Sequence, residues 1–365
     1  MHMNRKPPTE SNVLDRLRHG EVALPPLRLK IVEPGPADGW DALVVASWRD
    51  QQAKFAVECR AQSTPKGFAE ALRWCRSTPL PPDTLPMVLL PHLRESQLRE
   101  LERNGMSGVD LCGNGLVLAP GRFSVFRTGA PNQFPTYAPI KNIYRKNTSM
   151  VARVFLAMPF FESVREIRET VNARDLLAAC STKTPMGLGT VSKALKVLEE
   201  DQIVDRSQGV RLIQPEKLIE ALNDNYNGPG KEPRVRLKVE GGKANRMKLL
   251  REAAEAASLP VAATGLASVA RYAVMQREDV LSVYCPRVAD LRERLPGKET
   301  DQFANVELIE SDQQPLYFDT REEDGFRWAS PVQTYLELMS GDKRDRETAE
   351  QVRAYLLDRL GAVKR

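Results

Sequence analysis

The sequence predicts a multidomain protein of mixed α/β and α+β class. The chain has 365 residues, more than a single hydrophobic core usually organises. Short apolar runs alternate with amphipathic helical stretches before residue 132 and again after residue 232, a pattern typical of α/β architecture. Between these two regions the periodicity is helical and ends in a hairpin pattern. The three regions therefore predict an α/β domain, a small helical domain with a hairpin, and a second α/β domain.

Two segments rich in Pro, Gly and Asn mark the expected boundaries, at residues 129–139 and 226–232. The N-terminal 26 residues lack periodicity, and we expect a mobile tail with a short helix at residues 12–19. The predicted division is a tail over residues 1–30 followed by domains over residues 31–138, 139–225 and 226–365.

The elements of the first α/β domain follow from its apolar runs and turn residues. Strands are predicted at residues 42–46, 54–59, 87–90, 108–112 and 116–118, and helices at residues 68–75 and 95–104. The last two strands flank Gly113-Asn114-Gly115, a turn in which Asp110 and Asn114 are expected to satisfy backbone groups.

Carboxylates accompany two of these strands. Asp41 precedes the first strand, and Glu58-Cys59-Arg60 ends the second. This arrangement resembles the PD-(D/E)xK nuclease core, in which a strand-borne Asp and Glu hold Mg²⁺ and a Lys positions the attacking water. Here Arg60 takes the place of the Lys, and a guanidinium stays protonated and cannot act as a base. We therefore expect a restriction-endonuclease-like domain without cleavage activity. The alternative is a plain Glu58–Arg60 ion pair at a strand end.

The central region predicts three helices and a hairpin, with helices at residues 149–158, 173–179 and 190–200. The third helix carries Val191, Leu195 and Leu198 on one apolar stripe. Its other face carries short hydroxyls and cations, which suit a groove lined with acceptors and phosphates. Two short strands follow at residues 203–206 and 209–213. Helices followed by such a hairpin are typical of a winged helix-turn-helix, so this region is expected to bind double-stranded DNA.

The candidate DNA-binding residues are the polar and basic side chains of this region: Lys141, Arg145, Lys146, Thr182, Lys183, Thr190, Ser192, Lys193, Lys196, Arg206 and Arg211. Arg153 adds charge on the first helix, where it could meet the phosphate backbone. The net charge of +5 permits nucleic-acid binding without requiring it. Winged helices also serve as protein-binding modules, and the lysines could be an ordinary solvated face.

The third region again alternates strands and helices. Helices are predicted at residues 245–257, 266–273, 332–338 and 344–360, and strands at residues 261–263, 280–284, 306–309 and 315–319. The segment from Thr264 to Ala273 follows an apolar strand and resembles the strand-turn-helix start of nucleotidyltransferase-like folds. Those enzymes need paired aspartates on a following strand, which residues 280–285 lack. A nucleotidyltransferase-like domain without transfer chemistry is therefore expected.

The winged helix, the Thr264–Ala273 segment and the late run Ser330-Pro331-Val332-Gln333-Thr334-Tyr335-Leu336-Glu337-Leu338 together resemble the AbiEi-type antitoxins of type IV toxin-antitoxin systems. The resemblance covers residues 140 to 365. It implies a transcriptional regulator that binds its own promoter, with a C-terminal domain that counters a nucleotidyltransferase toxin. This chain departs from the short antitoxins, which lack the nuclease-like domain expected here. The Ser330-Pro331 pair is also typical of an ordinary helix start, with Ser330 as the N-cap and Pro331 in the first turn.

Two other functions remain open. The first is a metal-dependent DNA nuclease that uses the N-terminal domain, and the second is a mobile-element replication or accessory protein that binds one DNA site with two domains. The five cysteines are scattered and the three histidines lie far from them, so no zinc site is expected. No metal and no cofactor is expected, and neither is a membrane segment or a signal peptide. A cytoplasmic protein is expected, and a homodimer remains open.

Overall fold

The computed structural model describes residues 8–35, 39–134, 142–180, 183–228, 232–274 and 280–362. The chain forms two compact units, residues 1–140 and residues 141–365. Both mix helices with sheets, so the predicted mixed α/β class is confirmed.

Unit 1 contains a seven-stranded sheet whose strands are neighbours in chain order. The first three strands are antiparallel, the third, fourth and fifth are parallel, and the last three are antiparallel again. The strands are β1 (Arg28–Pro34), β2 (Ala42–Trp48), β3 (Gln51–Cys59), β4 (Thr84–Leu90), β5 (Ser107–Asp110), β6 (Gly115–Ala119) and β7 (Phe123–Arg127). The helices are α1 (Glu10–Arg18), α2 (Pro65–Ser77) and α3 (Glu95–Arg103).

Helices cover both faces of this sheet. Met87 and Leu89 of β4 belong to the core on the side of α1, whereas Val88 and Leu90 belong to the core on the side of α2 and α3. The continuous apolar run of β4 follows from this, because a strand covered on both faces loses the alternation of a half-exposed one.

The N-terminal segment was expected to be a mobile tail. Its described residues are instead part of this fold. Thr9 caps α1, whose Val13 and Leu17 are buried against the sheet together with Val22 and Leu24. The predicted helix at residues 12–19 is thus present, but its apolar face packs into the core of unit 1.

Unit 2 begins with helices and a small sheet. Its elements are α4 (Ser149–Ala157), β8 (Phe160–Phe161), α5 (Val164–Ala173), α6 (Leu176–Ala179), α7 (Leu188–Glu200), β9 (Val204–Asp205), β10 (Val210–Leu212) and α8 (Pro215–Asp224). The three strands pair antiparallel in the order β8-β10-β9. Of the helix predicted at residues 173–179, only α6 forms, and α5 precedes it as a separate helix.

The rest of unit 2 surrounds a five-stranded sheet of order β12-β13-β15-β11-β14, in which only β13 and β15 pair in parallel. The strands are β11 (Arg234–Lys238), β12 (Ala262–Ala263), β13 (Leu281–Cys285), β14 (Lys298–Glu299) and β15 (Val306–Glu310), with the hairpin β16 (Arg321–Glu323) and β17 (Phe326–Trp328) apart from it. The helices are α9 (Lys243–Ala257), α10 (Gly265–Ser268), α11 (Val288–Arg294), α12 (Gln314–Tyr317), α13 (Pro331–Met339) and α14 (Lys343–Ala362).

The strand predicted at residues 315–319 is wrong. This segment forms the short helix α12, in which Pro315 occupies the first turn. A proline is well placed there because the first helical N–H groups have no partner within the helix. The run Leu316-Tyr317-Phe318 favours a strand by composition, but all three side chains are buried between elements of unit 2 instead.

Candidate nucleic-acid interface

Helix α7 has a buried and an exposed face. Val191, Leu195 and Leu198 are fully buried, as their spacing predicts. Thr190, Ser192, Lys193 and Lys196 are all exposed. The two lysines therefore present cations beside two hydroxyl groups on one helix surface.

The start of α7 is open. Gly187 occupies the N-cap position. Among the described residues, and apart from the adjoining chain, no atom lies within 4 Å of the place where a Cβ would stand at Gly187 or Gly189. Leu188 lies between them and is 44% exposed. An exposed apolar side chain at this place is suited to contact with a thymine methyl group. Sequence analysis did not select Leu188, because it placed the residue in the turn before the helix.

The hairpin β9–β10 completes this surface. Its turn contains Gly209 at φ +77°, and a Cβ there would stand 2.7 Å from the ring of Phe160. The guanidinium of Arg211 stacks over that same ring at 4.7 Å from the ring centroid. Phe160 is 36% exposed, so the ring and the cation form a preorganised pair on the surface. Phe160 is a second residue that sequence analysis missed, because an aromatic residue after a helix is more often part of the core.

Two other predicted residues are held in ion pairs. Arg206 Nη1 lies 3.3 Å from Glu199 Oε2 at the end of α7. Lys183 Nζ pairs with Asp312, which lies beyond β15. Both pairs are at least partly exposed, and such pairs contribute little to stability, so a phosphate could compete for either cation.

The remaining predicted cations lie before α4. Arg145 and Lys146 are exposed, and the 3₁₀ turn of residues 146–148 packs against α7. Lys141 and Thr182 fall outside the described residues. The expectation for Arg153 is wrong, because its side chain is buried and cannot reach a phosphate.

Arg153 instead joins α4 to α13. Its Nη1 donates to the backbone oxygen of Pro315 and to Oε1 of Gln333, each at 2.8 Å. Gln333 Nε2 donates in turn to the hydroxyl of Tyr226 and to Oε1 of Glu337. Burial lowers the pKa of Arg153 to about 10, so the guanidinium stays charged at neutral pH.

Glu337 closes the same network. Its carboxylate accepts from the backbone N–H of Leu266 at 3.1 Å and from the hydroxyl of Tyr284 at 3.1 Å. Burial raises the pKa of Glu337, while the hydrogen bonds to it and the nearby Arg153 favour its charged form. The run from Ser330 to Leu338 is thus a structural junction, in which Ser330 caps α13 by accepting from the N–H of Gln333.

The segment between α5 and α7 is also anchored. Asn172 exchanges two hydrogen bonds with the backbone of Met186, which fixes both ends of the segment. Asp175 caps α6 and accepts from the side chain of Gln314, and Arg174 pairs with Asp319. The described residues Arg174 and Asp175 are thus held against residues 314–319, and Met186, just before α7, is held by Asn172 of α5.

In unit 1 the predicted carboxylates meet at the junction of β2 and β3. Asp41 Oδ2 accepts from the backbone N–H of Cys59 at 2.7 Å, and Glu58 Oε1 lies 2.6 Å from Arg60 Nη2. Desolvation by burial raises the pKa of Glu58 to about 7, against the attraction of Arg60 and with the repulsion of Asp41 and Glu10. The Glu58–Arg60 ion pair, given above as the alternative to a nuclease site, is present at this strand end.

Both carboxylates at this junction have partners within the chain. Arg60 pairs with Oε1 of Glu58, and the backbone N–H of Cys59 donates to Oδ2 of Asp41. Among the described residues, no group of three or more His, Cys, Asp or Glu side chains could hold a metal ion.

Two further predictions concern turns and helix starts. Asp110 accepts from the backbone of Leu93, Cys112 and Asn114, as expected of a residue that satisfies backbone groups. Thr264 caps α10 by accepting from the N–H of Ala267. Neither arrangement leaves a reactive group.

Comparison of the chain with protein-family models, with curated proteins and with solved structures finds no match. Within the described residues, none of the helices is both long and apolar enough to cross a lipid bilayer.

Proposed function

We propose that this chain is a non-enzymatic, double-stranded DNA-binding transcriptional regulator of antitoxin type, and that residues 142–214 form a winged helix-turn-helix. The observation that carries the proposal is the exposed polar face of α7 beside the β9–β10 hairpin. In this assignment α7 lies in the major groove and the hairpin is the wing. The order helix, strand, three helices and hairpin, with β8 paired to β10, supports it.

The chemistry of this surface suits a duplex. Lys193 and Lys196 can neutralise phosphates, while Thr190 and Ser192 can donate to or accept from base edges. The Arg211–Phe160 pair presents a further cation on the wing. Each phosphate contact that is lost should reduce the slope of log affinity against log salt by about 0.9.

A gel shift and a footprint on the DNA upstream of the protein's own gene test the proposal. Lys193→Glu combined with Lys196→Glu is expected to abolish specific retention, because two attractive contacts become repulsive. Lys248→Glu combined with Lys343→Glu is the matched control, since it makes the same change in net charge at exposed positions of α9 and α14. Equal retention by the two double variants would refute the assignment of α7.

We further propose a restriction-endonuclease-like fold for unit 1 and a nucleotidyltransferase-like fold for residues 232–362, both without catalysis. The helix-covered sheet of unit 1 supports the first. The strand β12, the capped turn at Thr264 and the helix α10 support the second. The structural role of Gln333 and Glu337 in the most specific part of the AbiEi resemblance is compatible with antitoxin function, whose partner would be a cognate nucleotidyltransferase toxin.

A further inference from the structure

A cleft of about 500 Å³ opens in unit 2 between α6, α9 and the β16–β17 hairpin. Apolar side chains line much of it: Leu176, Ala254, Leu259, Val261 and Phe326. Cavities of this size accommodate small organic molecules, and an apolar lining with a few convergent polar groups is typical of ligand sites.

Two arginines, Arg251 and Arg327, line the cleft together with the carboxylates Glu255 and Glu322 and the hydroxyl of Ser258. Arg251 Nη1 donates to the backbone oxygen of Gly325 at 3.2 Å, and a Cβ at Gly325 would stand 2.7 Å from that same nitrogen. The glycine therefore lets the hairpin turn close over the guanidinium and hold it in place. Arg327 lies on the same hairpin and pairs with Glu322 at 3.3 Å.

The carboxylates near these arginines point further into solvent. The side chain of Arg251 is 46% exposed and that of its partner Glu255 is 70% exposed. The side chain of Arg327 is 35% exposed and that of Glu322 is 66% exposed. The exposed carboxylates bind their arginines only weakly, so a bound anion can replace them at the cleft.

We propose that this cleft binds a small amphipathic organic anion, with an apolar body against Phe326 and Leu259 and a carboxylate or sulfonate between Arg251 and Arg327. Burial of the body supplies the driving force, and the two guanidinium groups select the charge.

Occupancy of the cleft acts on the start of α7. Leu176 and Cys180 form one wall, and α6, which contains Leu176, packs against α5, which in turn packs against α7. A ligand that favours one placement of α6 shifts the placement of α7 through α5, so it changes affinity for DNA. This coupling rests on the proposed function, whereas the binding of the anion does not.

The first experiment is a fluorescence titration of the full chain with 8-anilinonaphthalene-1-sulfonate, an aromatic sulfonate. We expect saturable binding at one site, weakened about tenfold or more in the Arg251→Ala, Arg327→Ala double variant, because the hydrogen bonds of both guanidinium groups to the charged group of the ligand are lost. Lys248→Ala removes a cation from the same helix away from the cleft, and it should leave the affinity unchanged. Absence of saturable binding, or equal affinity in the double variant and the control, would overturn the proposal. Circular dichroism verifies that each variant is folded.

A second experiment uses the wild-type chain and so does not depend on the variants. Cys180 is exposed at the rim of the cleft, and its alkylation by N-ethylmaleimide can be followed by peptide mass spectrometry. The sulfonate should slow alkylation of Cys180 but not of the half-buried Cys112 of unit 1. Unprotected Cys180 at saturating sulfonate would overturn the placement in this cleft. Protection of Cys180 without any DNA retention would instead uphold the ligand site and count against the proposed function.

Discussion

Arg153 and Gln333 lie 180 positions apart in the chain, and the guanidinium of the first donates a 2.8 Å hydrogen bond to the side-chain oxygen of the second. Both side chains are buried. Since Gln333 also binds Glu337, a cation from α4 and a carboxylate from α13 share one buried amide. The helix that begins the proposed DNA-binding domain is thereby joined to the C-terminal part of unit 2.

Arg153→Met should destabilise this junction strongly. The substitution leaves the carbonyl of Pro315 and the amide of Gln333 without a donor and the buried Glu337 without a nearby cation. Removal of one partner from a buried charge network costs about 3–5 kcal/mol. Hydrogen exchange of the α4 amides measures the loss, and the amides of unit 1 serve as an internal reference.

Arg165→Met is the control for this experiment. Its side chain is 78% exposed and pairs with the exposed Glu169, so the expected change is within about 0.5 kcal/mol. If Arg153→Met changed exchange no more than this control, the junction would have no part in the stability of unit 2.

Glu58 should make the stability of unit 1 depend on pH. Burial raises its pKa from 4.5 to about 7, so the folded state holds its proton more tightly than the unfolded state does. The resulting stabilisation is fully present below pH 4.5 and is lost as the pH rises through about 7. Hydrogen exchange of β2 and β3, corrected for the intrinsic effect of pH, should show this loss in the wild type.

Glu58→Gln should flatten that profile, because the amide does not ionise. The ion pair with Arg60 disappears as well, so comparison of slopes is more informative than comparison of absolute stability. The same slope between pH 5 and pH 8 in both proteins would show that Glu58 does not titrate in this range.

The wild-type protein should not nick supercoiled plasmid in the presence of Mg²⁺ or Mn²⁺. Arg60 stands where the nuclease core has a lysine, it pairs with Glu58, and its guanidinium cannot serve as a base. Agarose gels of plasmid incubated with wild type and with Glu58→Ala check this expectation. Metal-dependent nicking by the wild type that the variant lacks would favour the nuclease alternative.

Much of the fold follows from local sequence patterns. The stripe of Val191, Leu195 and Leu198 predicts α7, and the turn around Gly209 predicts the hairpin, because both signals are carried by neighbouring residues. Helix α12 and the burial of Arg153 could not be predicted in this way. Pro315 and Arg153 are placed by contacts with residues far away in the chain, and a basic residue on a helix ordinarily faces solvent.

The candidate interface also combines features that local sequence patterns predict with features that depend on contacts between distant residues. The exposed hydroxyls and lysines of α7 follow from helical periodicity, whereas the ion pairs of Lys183 and Arg206 depend on tertiary contacts with Asp312 and Glu199. The role of Phe160 depends on the pairing of β8 with β10, which brings its ring to Arg211.

Gly209→Ala should loosen the hairpin. The residue has φ +77°, and the new methyl group would lie 2.7 Å from the ring of Phe160 and 2.8 Å from the backbone oxygen of Phe161. A strained backbone of this kind costs about 1–3 kcal/mol. We expect faster hydrogen exchange in β9 and β10 and, if the hairpin is a DNA-binding wing, weaker retention of the duplex.

Gly189→Ala is the matched substitution in α7. No atom lies within 4 Å of the new methyl group, and alanine is more favourable than glycine in a helix by about 0.5–1 kcal/mol. Exchange in α7 should therefore slow rather than accelerate. Suppose that Gly209→Ala changed hydrogen exchange in β9 and β10 in the same way as Gly189→Ala changes it in α7. The close approach of Phe160 to Gly209 would then not constrain the hairpin.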